Sequence, residues 1–184
     1  GILNVDEIAG NVYFTATGVN PNETPYYEHV YRIGINGGSP VRLDDDGFSS
    51  SSVSMSDDGK FFVNNFARGD CAPRSALYNN LGQKIMDLGE ADMSLLLQAG
   101  YKYPEQFKVK AADGVTDLWG VMYKPYDFDP NKKYPIIDYV YPGPQVEGNN
   151  IEWSKNFVRI DRLAQIGFIV ITVGNRGGHP DRSK

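Results

Sequence analysis

From the N-terminus to about Glu90, short apolar runs alternate with clusters of Gly, Asn, Asp and Ser, the pattern of brief β-strands separated by turns. Val12–Thr17 and His29–Ile35 read as strands, and Asn36-Gly37-Gly38 is the turn that leads into Pro40–Leu43. The same order then returns. Gly10-Asn11-Val12-Tyr13-Phe14 corresponds to Gly59-Lys60-Phe61-Phe62-Val63, and Val30-Tyr31 to Leu77-Tyr78, offsets of 49 (59 less 10) and 47 (77 less 30) residues. The second unit is the clearer one: Ser52–Ser56, the turn Asp57-Asp58-Gly59, Phe61–Phe66, Ser75–Asn79 and Lys84–Leu88. A period of roughly 40–50 residues built from four short strands is the signature of β-propeller blades. Two blades cannot close a ring, so the others are expected upstream of Gly1. A small β-sandwich with accidental repetition is the plainer alternative.

Glu90–Ala99 breaks the alternation, because Met93, Leu95, Leu96 and Leu97 after Ala91-Asp92 suit a short helix or turn that Gly100 would end. Pro104 disfavours helix in the residue before it, which puts the domain boundary near Tyr101–Pro104. Beyond it, Gln106–Lys110 and Leu118–Lys124 read as a hairpin around Ala111-Ala112-Asp113-Gly114. Tyr126–Lys133 is a polar loop, and Tyr134–Tyr141 is expected as the first deeply buried strand, ended by Pro142. Asn150–Ile166 predicts a helix, with Trp153, Phe157, Ile160, Leu163 and Ala164 on one apolar stripe and Lys155, Arg159, Asp161 and Arg162 mostly outside it. Gly167 would stop it, and Phe168–Val173 is apolar enough to read as a strand covered on both faces. Strand, helix, strand in that order predicts a βαβ crossover and the start of a parallel sheet.

Composition narrows the function without naming it. The 184 residues are 41% hydrophobic and 22% charged, ordinary for a soluble globular protein of one domain or two small ones. Eighteen basic against 23 acidic side chains, a net charge of −5 with no basic block, argue against nucleic acid. No apolar run approaches the roughly 20 residues that span a bilayer, and the N-terminus has no signal-peptide pattern. One cysteine, Cys71, excludes an internal disulfide and reads as a small half-buried side chain, and no Cys or His spacing suits a metal, so no cofactor is expected.

The series Lys132-Lys133-Tyr134-Pro135, then Val140-Tyr141-Pro142-Gly143-Pro144-Gln145, then Val170–Gly174 and Arg176-Gly177-Gly178, resembles the start of the peptidase domain in prolyl oligopeptidases of the dipeptidyl peptidase IV type. The resemblance covers the C-terminal half specifically and the N-terminal half by architecture. It implies β-propeller blades over residues 1–100 and the N-terminal part of an α/β-hydrolase domain over 101–184. It also implies that Tyr141, the tyrosine of the Tyr-x-Gly-Pro turn, donates its phenol O–H to the oxyanion formed when a serine attacks the peptide carbonyl. A fixed donor of this kind is commonly worth about 10²–10³ in rate.

In such enzymes the nucleophile lies in a G-x-S-x-G elbow, followed by the aspartate and the histidine. None of these falls before Lys184, so the chain reads as a segment of a longer protein and is expected to hydrolyse nothing alone. Gly47-Phe48-Ser49-Ser50-Ser51 imitates the elbow but lacks its second glycine. His179 sits in a Gly-rich loop with no partner in view, and His29 reads as a surface or packing residue. Arg176 suits a loop-pinning role through backbone carbonyls better than contact with substrate.

The expectation is thus a segment of a serine-type dipeptidyl peptidase acting near peptide N-termini, with a peptide substrate and the rest of the parent chain as partners. The residues that select the substrate's amine are not in view. A secreted or periplasmic location goes with this reading, and oligomeric state stays open, a homodimer included. Two alternatives remain: a non-catalytic binding protein on the same scaffold, and an esterase or acyl-peptide-releasing relative.

Overall fold

The structure is a computed structural model that describes residues 1–140 and 160–176. The described chain is mostly β, and it divides into two compact units, one of Gly1–Arg68 with Ala72–Ala91 and one of Gly69–Cys71 with the chain from Asp92.

The first unit holds two four-stranded antiparallel meanders, β1 (Ile2–Asp6), β2 (Asn11–Thr17), β3 (Glu28–Gly34) and β4 (Val41–Arg42), then β5 (Ser49–Met55), β6 (Phe61–Ala67), β7 (Arg74–Asn79) and β8 (Lys84–Glu90). The internal repeat is therefore structural. Tyr13 on β2 and Phe62 on β6, 49 residues apart, are each 1% exposed and lie in one core, whereas the second correspondence slips: Tyr78 on β7 stands opposite Phe62, but Tyr31 on β3 stands opposite Phe14 and outside that core. β1 adds a strand the alternation did not reveal, because Ile2–Asp6 has only Ile2, Leu3 and Val5 as apolar members and all three stay at least partly exposed.

One apolar cluster joins the two sheets: Tyr13, Val30 and Leu43 from the first, and Phe62, Phe66, Ala76 and Tyr78 from the second. The Phe62 and Tyr78 rings stack with centroids 5.1 Å apart and planes 9° from parallel. Full burial of such side chains stabilises by about 1.5–3 kcal/mol each, so these aromatic residues dominate the cohesion of the unit. Gly82 makes the close approach possible in the β7–β8 turn, because at φ +84° a Cβ there would stand 2.9 Å from the Leu43 backbone. β8, at the edge of its sheet, leaves Ile85, Met86 and Leu88 about half exposed.

The second unit begins with a short helix, α1 (Ser94–Gln98), closed by Gly100 at φ +90° as expected. Its sheet comprises β9 (Glu105–Lys110), β10 (Asp117–Tyr123), β11 (Ile136–Asp138) and β12 (Ile169–Val173), in the order β11-β12-β10-β9. β10 runs antiparallel to its two neighbours, β9 and β12, and β11 pairs parallel with β12. Between β11 and β12 the described chain includes the helix α2 (Asp161–Gln165), the end of the expected Asn150–Ile166 helix; the part with Trp153, Lys155, Phe157 and Arg159 lies outside the described residues. Val121, Tyr123, Ile160, Ala164 and Val170 form the core, with Ile137, Tyr139, Leu163 and Phe168 packed against it.

Three expectations are corrected here. The strand expected over Tyr134–Tyr141 is paired only over Ile136–Asp138, and it is not deeply buried: Ile136 is 63% and Val140 59% exposed, because β11 is an edge strand of the described sheet. β12 is apolar as expected, but it is not fully covered on both faces. It alternates, with Val170 and Thr172 buried on one side and Ile169, Ile171 and Val173 half-buried on the other. Asp161 is buried beside the apolar stripe of α2 rather than outside it.

Candidate functional site

Parallel strands end on the same edge of a sheet, and open α/β sheets keep their ligands outside the carboxyl ends of such strands. Here Ile136, Ile137 and Asp138 face Ile169, Val170 and Ile171, and Tyr139 N–H donates to Ile171 C=O at 2.8 Å. The two chains thus leave the sheet side by side, β11 toward Val140 and β12 toward Gly174. Tyr141, the residue expected to act on an oxyanion, follows Val140 directly in sequence but lies outside the described residues, as do Pro142–Gln145 and His179.

On the β12 side the site is described as far as Arg176. β12 stays against β10 through Gly120 opposite Val173, and Gly174 N–H donates to Trp119 C=O at 2.9 Å. Gly120 is needed for that proximity, since a Cβ there would meet Thr172 C=O at 2.7 Å and the Phe107 ring at 2.5 Å. Two residues further on, the Arg176 guanidinium donates through Nη1 to Asp113 Oδ2 at 2.9 Å, across 63 residues of sequence. The partner shown for Arg176 is thus a carboxylate of the β9–β10 turn rather than the expected backbone carbonyls.

That carboxylate is held by its own turn. Asp113 Oδ1 accepts from the N–H groups of Val115 and Thr116, both at 2.9 Å, and Oδ2 from the Thr116 hydroxyl at 2.6 Å. These donors, the Thr116 hydroxyl first, together with the Arg176 charge, hold Asp113 well below the usual carboxylate range. Gly114 N–H donates to Ala111 C=O and Ala111 N–H to Thr116 C=O, each at 2.9 Å, completing the connection between β9 and β10. Sequence reading saw Asp113 only as a turn residue. The spacing Asp-x-x-Thr, an Asp able to accept from the hydroxyl and the backbone three residues on, was the signal that could have marked it.

The other candidates resolve into structure. His29 is 2% exposed and lies between two acids: Nδ1 is 3.1 Å from Asp44 Oδ2, and Nε2 is 2.8 Å from Glu23 Oε1, close enough for an ion pair but not aligned as a hydrogen bond. Asp44 Oδ2 also accepts from Val30 N–H at 3.0 Å and from the Ser50 hydroxyl at 2.8 Å, while Arg42 approaches Asp44 and Glu23 and bonds Asp46. Burial opposes a charge on His29, but the bond to Asp44 and the charges of Asp44 and Glu23 outweigh it, against a smaller opposing effect of Arg42, and raise its affinity for a proton.

A Ser, a His and an Asp meet here without forming a nucleophile, because Ser50 donates to Asp44 and not to His29. Ser49 and Ser50 begin strand β5, and the Ser49 hydroxyl accepts from Glu28 N–H, so Gly47–Ser51 is no strand-to-helix elbow. Sequence reading missed Asp44 and Glu23, whose meeting depends on the turns of a meander. It missed as well the Tyr78 hydroxyl's bond to Asp45 at 2.9 Å, which with burial raises the phenol's affinity for its proton. Among the described residues no group of His, Cys, Asp and Glu could hold a metal, and no helix is long and apolar enough to cross a membrane.

Residues 1–73 match the family described as the dipeptidyl peptidase IV N-terminal region. The similarity to whole proteins runs on through the mixed sheet. Human dipeptidyl peptidase 8 is 32% identical over 184 residues, 95% of this chain and 20% of that protein, and its mouse counterpart is 34% identical over 181 residues, 94% and 20% respectively. The probable dipeptidyl-aminopeptidase B of Emericella nidulans is 31% identical over 179 residues, 94% of this chain and 19% of that protein. The chain spans about a fifth of the length of these curated relatives. The similarity to dipeptidyl peptidases thus takes in both units, and the chain's first 73 residues match the dipeptidyl peptidase IV N-terminal region.

Proposed function

We propose that this chain is a segment of a serine-type dipeptidyl peptidase, which cleaves dipeptides, often ending in proline, from peptide N-termini. Residues 1–100 are the last blades of its β-propeller, and 101–184 open its α/β-hydrolase domain. In favour of the blades are the repeated four-stranded meanders and the half-exposed Ile85, Met86 and Leu88 on β8, a surface suited to a further blade. In favour of the hydrolase is the parallel pairing of β11 with β12, and this is the observation that carries the proposal, because it brings the segment before Tyr141 to the edge where such sheets react.

In the mechanism, a serine and a histidine contributed elsewhere in the parent protein form and hydrolyse an acyl-enzyme. Tyr141 donates its phenol O–H to the oxyanion of each tetrahedral intermediate, an interaction stronger in the transition state than in the ground state. Tyr141→Phe in the full-length protein tests this. It is expected to lower kcat for Ala-Pro-p-nitroanilide by about 10²–10³ with KM little changed. A fall of less than about threefold would remove Tyr141 from the oxyanion site.

A further inference from the structure

The contact between Asp113 and Arg176 differs from an ordinary surface ion pair in how its acid is held. An exposed pair gains little because two long side chains must both be ordered to form it. At Asp113 the carboxylate is already fixed by two backbone N–H groups and a hydroxyl of its own turn, so only the arginine is ordered when the two meet. The turn is itself anchored, with Asp117 opposite Lys110 and Leu118 opposite Val109 in the β9–β10 ladder. On the other side, the backbone link from the end of β12 to β10 among the described residues is Gly174 N–H to Trp119 C=O, and Arg176 lies two residues beyond it.

We infer that Asp113 is a positioning residue, which acts through Arg176 to hold the loop leaving the carboxyl end of β12 against the β9–β10 turn, and so sets one wall of the site entered by the peptide substrate. The loop's restraint stands on the geometry alone, and its bearing on substrate rests on the peptidase reading above. Both side chains reach solvent, with Arg176 65% exposed, so the contact orders a loop and contributes little to global stability.

The test uses the full-length protein with Asp113→Asn, which keeps an oxygen able to accept the turn's N–H bonds but removes the charge, together with Arg176→Ala and the double variant. Two readouts are taken. The first is the rate of trypsin cleavage after Arg176 in wild type and in Asp113→Asn, which needs no enzymatic activity and is expected to rise about two- to fivefold when the contact is lost. The second is KM for Ala-Pro-p-nitroanilide, expected to rise about two- to fivefold in each single variant, with kcat within about twofold and no further rise in the double variant. Additive effects in the double variant, or KM unchanged by Asp113→Asn, overturn the inference and leave the peptidase reading intact. An unchanged cleavage rate overturns the restraint itself. Faster cleavage in a protein that hydrolyses no dipeptidyl anilide supports the restraint and overturns the peptidase reading.

Discussion

The first unit keeps an ionic cluster inside, whereas the ion pairs of the mixed sheet lie on its surface. His29 and Asp44 are each 2% exposed in their side chains, among Glu23, Arg42 and the Val30 backbone, and next to them runs an aromatic core. In the second unit Lys108 and Lys110 reach Asp117, Lys124 reaches Glu105 and Arg176 reaches Asp113 from solvent, while the core is mostly aliphatic and its strands are brought together by Gly120. Both regions contain a carboxylate saturated with donors. The difference is what its loss would do: an inward carboxylate holds sheets together, because its removal strands buried donors, and an outward one holds a loop in place.

The sharpest way to break this contrast is Asp44→Ala. It leaves the His29 Nδ1, the Val30 N–H and the Ser50 hydroxyl without their shared acceptor inside the unit, and the expected loss is about 3–5 kcal/mol. Urea unfolding followed by aromatic fluorescence would measure it, and a loss below about 1 kcal/mol would mean the cluster is wetter than its burial indicates. Next in size is Gly120→Ala. A methyl group there meets the Thr172 carbonyl and the Phe107 ring, so β9 or β12 must shift, at a cost of about 1–3 kcal/mol. The same unfolding experiment is expected to show that the first unit's transition is untouched.

These contrasts were unevenly legible in the sequence. The meanders could be read, because Gly10 and Gly59 open equivalent strands and Tyr13 and Phe62 fill equivalent core places. Alternation says which face a residue occupies but not which loops come together, so the meeting of Glu23, His29, Asp44 and Ser50 from four different segments could not be read. The apolar run at Tyr134–Tyr141 misled for a related reason: hydrophobicity announces a strand, but whether it is central or at an edge is decided by its neighbours. Arg176 was legible as a residue that bonds within the fold, and its partner was not, since Asp113 lies 63 residues away.

The smallest effect separates the two regions by the direction of their response to pH. The proton affinity of His29 is raised above the ordinary value near 6.5, so the folded first unit binds a proton more tightly than the unfolded chain does. Its contribution to stability is complete below about 6.5 and is lost as pH rises through the higher folded value. Asp113 has the opposite sign. Its affinity is lowered from 3.8, so what it contributes is present above that value and is lost only as acid protonates it. The urea midpoint of the first unit's transition is therefore expected to fall between about pH 6 and about pH 8.5, and His29→Gln should flatten that profile. Asp113→Asn should leave the slope in this range unchanged, because its carboxylate is already ionised at both ends. A midpoint that stays level or rises with pH in the wild type would mean that the folded unit holds His29 neutral, and that the cluster around Asp44 is a hydrogen-bonded pin with no ionic part.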